Sequence, residues 1–200
     1  MNHTLDHLLA FHCGPTLAGI KPANLLSLDQ AAYPDLNDQI QKYNYFLGQC
    51  GLQFEIMCRC KDHWLLLVFR REMLEKSLQG NNIRIILQQT GYPLQEGVNG
   101  WITHLKKRLS SRGGFPHEIG LFLGYPIEDV LGFQEKQGKD YLLCGHWKVY
   151  ANPEKAKRLF ERYDRCRKAI YRRVEQGDSI IRVFCGAHSE YVLKEACRYA

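Results

Sequence analysis

Leu52-Gln53-Phe54-Glu55-Ile56-Met57-Cys58-Arg59-Cys60-Lys61-Asp62-His63-Trp64-Leu65-Leu66-Leu67-Val68-Phe69 is the stretch that decides the fold. In its first half Leu52, Phe54, Ile56, Cys58 and Cys60 alternate with Gln53, Glu55, Met57, Arg59 and Lys61. That period of two predicts a strand with one buried face. Lys61-Asp62 makes a tight turn, and His63 to Phe69 is apolar enough to be a central strand.

Helical periodicity surrounds this hairpin. Leu5, Leu8 and Leu9 predict a short helix from Thr4 to about Phe11, ended by a Cys13-Gly14-Pro15 turn. Asp35 to Gly51 is amphipathic through Leu36, Ile40, Tyr43, Phe46 and Leu47. Glu72–Gln79, Ile83–Thr90 and Gly97–Ser111 also read as helices. Pro126 is placed to start another, running to about Gln137. The longest, Pro153 to Gln176, carries Ala156, Leu159, Phe160, Tyr163, Cys166, Ile170 and Val174 as its apolar stripe. His117 to Leu123 is readable as a strand or as a short helix begun by Pro116. Tyr141–Tyr150 and Ile180–Phe184 read as strands, with a small helix after them. Strands without regular βαβ alternation make this an α+β chain, a single domain over residues 1–200 with a partly antiparallel sheet packed against several helices.

Composition sets further bounds. The longest apolar run, Trp64 to Phe69, is far short of the roughly 20 residues that span a bilayer. Met1-Asn2-His3-Thr4-Leu5-Asp6 has neither a basic region nor a long apolar run, so the expected address is the cytoplasm. Eight cysteines without paired spacing are then expected to be thiols. The net charge of +6 belongs to the second half, which holds nineteen Lys/Arg against twelve Asp/Glu; the first half holds eight against nine. An anionic ligand is compatible with that asymmetry.

Two stretches are dense in backbone punctuation: His12-Cys13-Gly14-Pro15-Thr16-Leu17-Ala18-Gly19-Ile20-Lys21-Pro22, and Phe115 to Phe133. Such density holds polar groups in place. Cys13, then His117, then an acid follows the chain order of papain-like peptidases and related acyltransferases. In that reading Cys13 is the nucleophile, His117 the general base, and Asp129 or Glu118 orients the imidazole. The alternative is a metal, haem or other cofactor held by the same pocket, from His12, Cys13, His117 and Glu118. Cys58, Cys60 and His63, like Cys144 and His146, lack structural-zinc spacing. A third reading is a nucleic-acid or protein interaction through the Arg-rich helix 153–176, where nine Lys/Arg stand among four acids. The interleaved acids, and the placing of Phe160 and Tyr163 on the core stripe, argue against nucleic acid. Phosphate-binding loops, dinucleotide fingerprints and a Gly-x-Ser-x-Gly elbow are absent.

The sequence resembles an uncharacterised family of anaerobic Firmicutes bacteria, the domain of unknown function 3793. The resemblance rests on His12-Cys13 with Pro15-Thr16-Leu17-Ala18-Gly19 and Lys21, and on Phe115-Pro116-His117-Glu118-Ile119-Gly120 with Phe122-Leu123-Gly124-Tyr125-Pro126 and Asp129-Val130. Gly145-His146-Trp147-Lys148-Val149-Tyr150 extends it, so that it covers about residues 10–175. It implies a single-domain cytoplasmic bacterial protein and no particular activity, cofactor or partner. Beside the catalytic set it marks His12, Lys21, Trp147 and Lys148 as candidates for substrate binding, with Lys21 or Lys148 holding a carboxylate or phosphate.

Overall fold

The hairpin of the opening stretch forms at Leu52–Cys60 and His63–Arg70, and its second strand is the centre of a three-stranded antiparallel sheet. The computed structural model describes residues 4–60, 62–111 and 115–186. In chain order the elements are α1 (Leu5–Leu17), β1 (Ala23–Asp29), α2 (Leu36–Leu47), β2 (Leu52–Cys60), β3 (His63–Arg70), α3 (Arg71–Ser77) and α4 (Asn81–Gln89). They continue with α5 (Gly97–Ser110), α6 (Ile119–Phe122), α7 (Ile127–Glu135), β4 (Leu143–Cys144), β5 (Lys148–Val149), α8 (Pro153–Glu175) and α9 (Ile180–Cys185). The protein is α+β. Its chain divides into two compact units, Met1–Glu72 with Arg162–Ala200, and Met73–Glu161.

The first unit holds the sheet, in the order β1-β3-β2. β3 carries the continuous run Leu65-Leu66-Leu67-Val68-Phe69 because it is flanked on both edges. The alternation of β2 breaks at a bulge between Ile56 and Cys58, so Met57 is buried and Cys58 only half-buried. α1 packs on β1 and β3, α2 packs on β2, and α9 lies against α1 and α2. Asn44 on α2 pairs with both backbone groups of Phe54, at 2.9 and 2.8 Å, which fixes that helix against the sheet. Tyr43 donates to Asp6 Oδ1 at 2.6 Å, and the same oxygen accepts the Ile180 amide at 3.2 Å. One carboxylate thus ties α1, α2 and α9 together.

Four readings from sequence need correction. First, Cys13-Gly14-Pro15 is not a turn: α1 continues through it to Leu17, with Pro15 inside the helix. The helix ends in a paired cap, where Ile20 N–H donates to Pro15 O and Gly19 N–H to Thr16 O, with Gly19 at φ +76°. Second, β1 had no counterpart among the strands read from sequence. Third, Tyr141–Tyr150 is not one strand but a small hairpin, β4 with β5, folded around Gly145-His146-Trp147. Fourth, Ile180–Phe184 lies in a helix. Ser179 Oγ accepts the Arg182 amide at 3.1 Å as its N-cap, and this local bond overrides the β-branched composition. The expected terminal helix falls on residues 187–200, outside those described. The ambiguity at His117–Leu123 resolves as a turn leading into the single helical turn of α6.

The second unit is helical apart from β4 and β5. Among the described residues, no helix is long and apolar enough to cross a membrane.

Candidate functional site

Glu118 sits just before α6 and is 5% exposed. A buried carboxylate must be paired, and this one is held from two sides. Arg108, in the last turn of α5, donates through Nε to Oε1 at 2.5 Å and through Nη2 to Oε2 at 3.2 Å. The Tyr92 hydroxyl adds a bond to Oε1 at 3.2 Å. The two-point fork is the strong geometry for guanidinium and carboxylate, and it pushes the Arg108 pKa up still further. Burial, then the charge of Glu118, pushes the Tyr92 phenol up, so it stays a donor.

Arg108 and Glu118 lie on the wall of a pocket of about 480 Å³ in the second unit. His117 and Ser111 line it as well, with Ile86, Val130 and Leu131 as apolar floor. Phe115 and Leu131, two of the chain's exposed large apolar side chains at 57% and 44%, also face it. His117 is exposed, with its ring 5.6 Å from that of Phe133. Gly120 keeps α6 close to α7: a side chain there would meet Val130 at 2.8 Å.

Asp129 is 3% exposed and fully used by the fold. Its Oδ2 accepts Trp147 Nε1–H at 2.7 Å, and Oδ1 accepts the amides of Tyr150 at 2.7 Å and Ala151 at 3.0 Å. The carboxylate therefore fastens α7 to the segment leaving β5. Trp147 is buried between Tyr125, stacked at 4.8 Å, and Phe160, edge-on at 4.5 Å. A side chain at Gly145 would run into the Phe160 ring. Lys148 Nζ donates to Gly138 O at 2.7 Å and lies 5.1 Å from the Tyr141 ring centre. It closes the turn that holds Gln137 and Gly138 at positive φ.

The other stretch, in the first unit, is buried from Cys13 to Ala18 and again at Lys21. Cys13 has no exposed surface, and burial pushes its thiol up to about 12, against a smaller opposing pull from the Lys21 charge. Lys21 is 3% exposed, and burial brings its ammonium down to about 8, opposed by the charge of Cys13. Its Nζ lies 5.9 Å from the Tyr163 ring centre. Gly14 lets α1 approach α8: a Cβ there would lie 3.1 Å from Arg167 Cα. Thr16 donates to Asn24 Oδ1 at 2.7 Å, and Arg70 caps α1 by donating to the carbonyls of Thr16 and Leu17. His12 is exposed beside Phe11, and burial, then Arg167, lowers its pKa.

The structure thus brings His117 and Glu118 to one pocket, gives Asp129 and Trp147 to the packing behind α7, and places Cys13, His12 and Lys21 in the other unit. Among the described residues no group of three His, Cys, Asp or Glu side chains is arranged to hold a metal ion. Arg108, Ser111 and Tyr92 were not among the residues singled out in the sequence. Arg108 follows Lys106 and Lys107 on an amphipathic helix, where it reads as one more solvated cation.

An α+β protein with a small, mixed polar and apolar pocket beside a buried glutamate paired with a part-exposed arginine is the class that fold and site define. The chain belongs to the family described as protein of unknown function (DUF3793), whose model matches residues 9–184. Neither curated proteins nor solved structures gave a match.

Proposed function

We propose that the protein binds a small ligand in the pocket of the second unit, and that the ligand carries a carboxylate or phosphate on an apolar body. One observation carries this reading: Arg108 is clamped from behind by a buried Glu118 yet remains 38% exposed toward the pocket. A guanidinium held in that way loses little freedom on binding an acceptor oxygen. Ser111 offers a further hydroxyl, and His117 is the titratable group placed to exchange a proton with a bound ligand. Phe115, Ile86 and Leu131 take the apolar part. Of the catalytic set expected from sequence, this reading keeps His117 and Glu118, and assigns Asp129 and Cys13 to the fold. A nucleophilic cysteine needs an accessible thiolate, and the burial that pushes Cys13 up opposes both requirements.

Calorimetric titration with benzoate, phenyl phosphate and inorganic phosphate tests the proposal. Binding should weaken by roughly tenfold or more in Arg108→Lys, which loses the fork, and should be unchanged in Cys13→Ala. If none of the three binds, or if Arg108→Lys binds as the wild type does, the reading fails.

A second reading has its own observation. On the first unit, the exposed Phe11 ring of α1 lies 4.4 Å from the Arg167 guanidinium, with Tyr171 at 6.0 Å and Lys168 and Arg172 around them. The aromatic platform that α8 lacks by itself is thus lent by α1, and it suits a flat anionic ring or a single-stranded base. Asp164, 2.9 Å from Arg167, and Glu175 weaken it. A labelled single-stranded oligonucleotide, titrated at two salt concentrations, separates this reading from the first.

A further inference from the structure

Cys50 and Cys185 lie 135 residues apart in sequence, yet their sulfurs are 3.9 Å apart in the first unit. Both residues are exposed. Cys50 ends the 3-10 turn Gly48–Cys50 that leads into β2, and Cys185 is the last residue of α9. Each thiol faces a carbonyl of the other's neighbourhood: Cys185 Sγ lies 3.2 Å from Phe46 O, and Cys50 Sγ lies 3.8 Å from Phe184 O. The other described cysteines include Cys13 and Cys166, which are buried, and Cys144, which is exposed but in the other unit.

We infer that Cys50 and Cys185 form a reversible dithiol–disulfide site that reacts with small disulfides. Geometry carries this. Closing the gap to the roughly 2.05 Å of an S–S bond takes side-chain rotation and a small movement at the end of α9, which is a helix terminus. In a reducing compartment an exposed pair of this kind serves as a transient, redox-responsive bond. The reaction has two steps. The Cys50 thiolate attacks one sulfur of R–S–S–R, the S–S bond breaks, and RSH leaves after taking up the proton from Cys50. The Cys185 sulfur then attacks Cys50 Sγ, loses its own proton, and expels the second RSH. The protein dithiol is oxidised and the small disulfide is reduced, with electrons and protons balanced. Cys50 is the first attacker, since the Cys185 hydrogen is the one closely held by a carbonyl. Burial and the neighbouring Cys50 also push the Cys185 thiol up to about 11. The new bond would join the end of α9 to the entrance of β2.

The test treats the full chain with oxidised glutathione and follows intact mass and peptide maps. The wild type should lose two hydrogens, gain a Cys50–Cys185 linked peptide before Cys144 is modified, and recover its mass with dithiothreitol. Cys185→Ser should stop at a glutathione adduct on Cys50, and Cys50→Ser should give no fast adduct on Cys185. Both positions are exposed, so unchanged far-ultraviolet circular dichroism establishes that the variants fold. A wild type that stops at the mixed disulfide, or modification of Cys144 at the same rate as Cys50, overturns the proposal.

Discussion

The stretches 12–22 and 115–133 look alike as sequence, each a cluster of glycine, proline, histidine and small residues, but they are spent differently. In the first, the positions after the exposed His12 are consumed by packing: Gly14 under Arg167, Thr16 on Asn24, Gly19 in the cap of α1, and Cys13 and Lys21 without meaningful surface. In the second, Gly120 and Asp129 hold α6 and α7 in place, and the polar turn they support opens onto a pocket. Punctuation in a sequence marks a backbone that is tightly specified. It does not say whether the specification serves packing or a site, and only the exposure of the polar groups separates the two.

That contrast can be broken most severely from within the second stretch. Asp129→Ala leaves one buried donor, Trp147 Nε1, and two part-buried ones, the amides of Tyr150 and Ala151, without their acceptor. It should cost about 3 to 5 kcal/mol, read as a lowered urea midpoint. A cost below about 1 kcal/mol would mean that the carboxylate is not the fastening described. In the first stretch, Gly14→Val drives a branched side chain into Arg167 Cα and the Ile170 side chain. About 2 kcal/mol should be lost, with ligand binding in the second unit unchanged.

The smallest effect is a pH dependence. Lys21 has its pKa lowered from 10.5 to about 8 in the folded state, so from pH 8 to 10.5 the unfolded chain binds more protons there and stability rises with pH. Cys13 is raised from 9.0 to about 12, so between those values the folded state binds more protons and stability falls. The net gain is therefore confined to about pH 8 to 9, on the order of 1 kcal/mol. Denaturant titrations at several pH values should show it in the wild type and not in Lys21→Met. A flat difference between the two proteins would place Lys21 in water.

Much of the fold could be read from local pattern. The β2–β3 hairpin, the central place of β3, and α2, α5 and α8 follow from periodicity that burial bears out, except that Phe46 of α2 is exposed. The failures share a cause. At α1, a proline near the end of a helix looks like a break until the cap beyond it is seen. At α9, four β-branched and aromatic residues, Ile180, Ile181, Val183 and Phe184, look like a strand, and a serine side chain one residue earlier decides otherwise. The pocket was half legible: the Phe115–Glu118 turn announced itself, whereas Arg108 depends on α5 ending where its side chain meets a carboxylate ten residues on. Nothing in a run of three cations distinguishes the one that will be paired.

The first unit is discontinuous in the chain, and this bears on how the protein is made. Its core joins residues from Leu5 to Val68 with Cys166, Ile170, Val174, Ile180, Val183 and Phe184. A ribosome delivers the sheet first and must add all of Met73–Glu161 before those partners emerge. The first unit is therefore completed after the second, which is continuous in sequence and has the opportunity to fold ahead of it. The Cys50–Cys185 pair comes into existence only when α9 clears the exit tunnel, so its oxidation would act on a core that α9 has already joined.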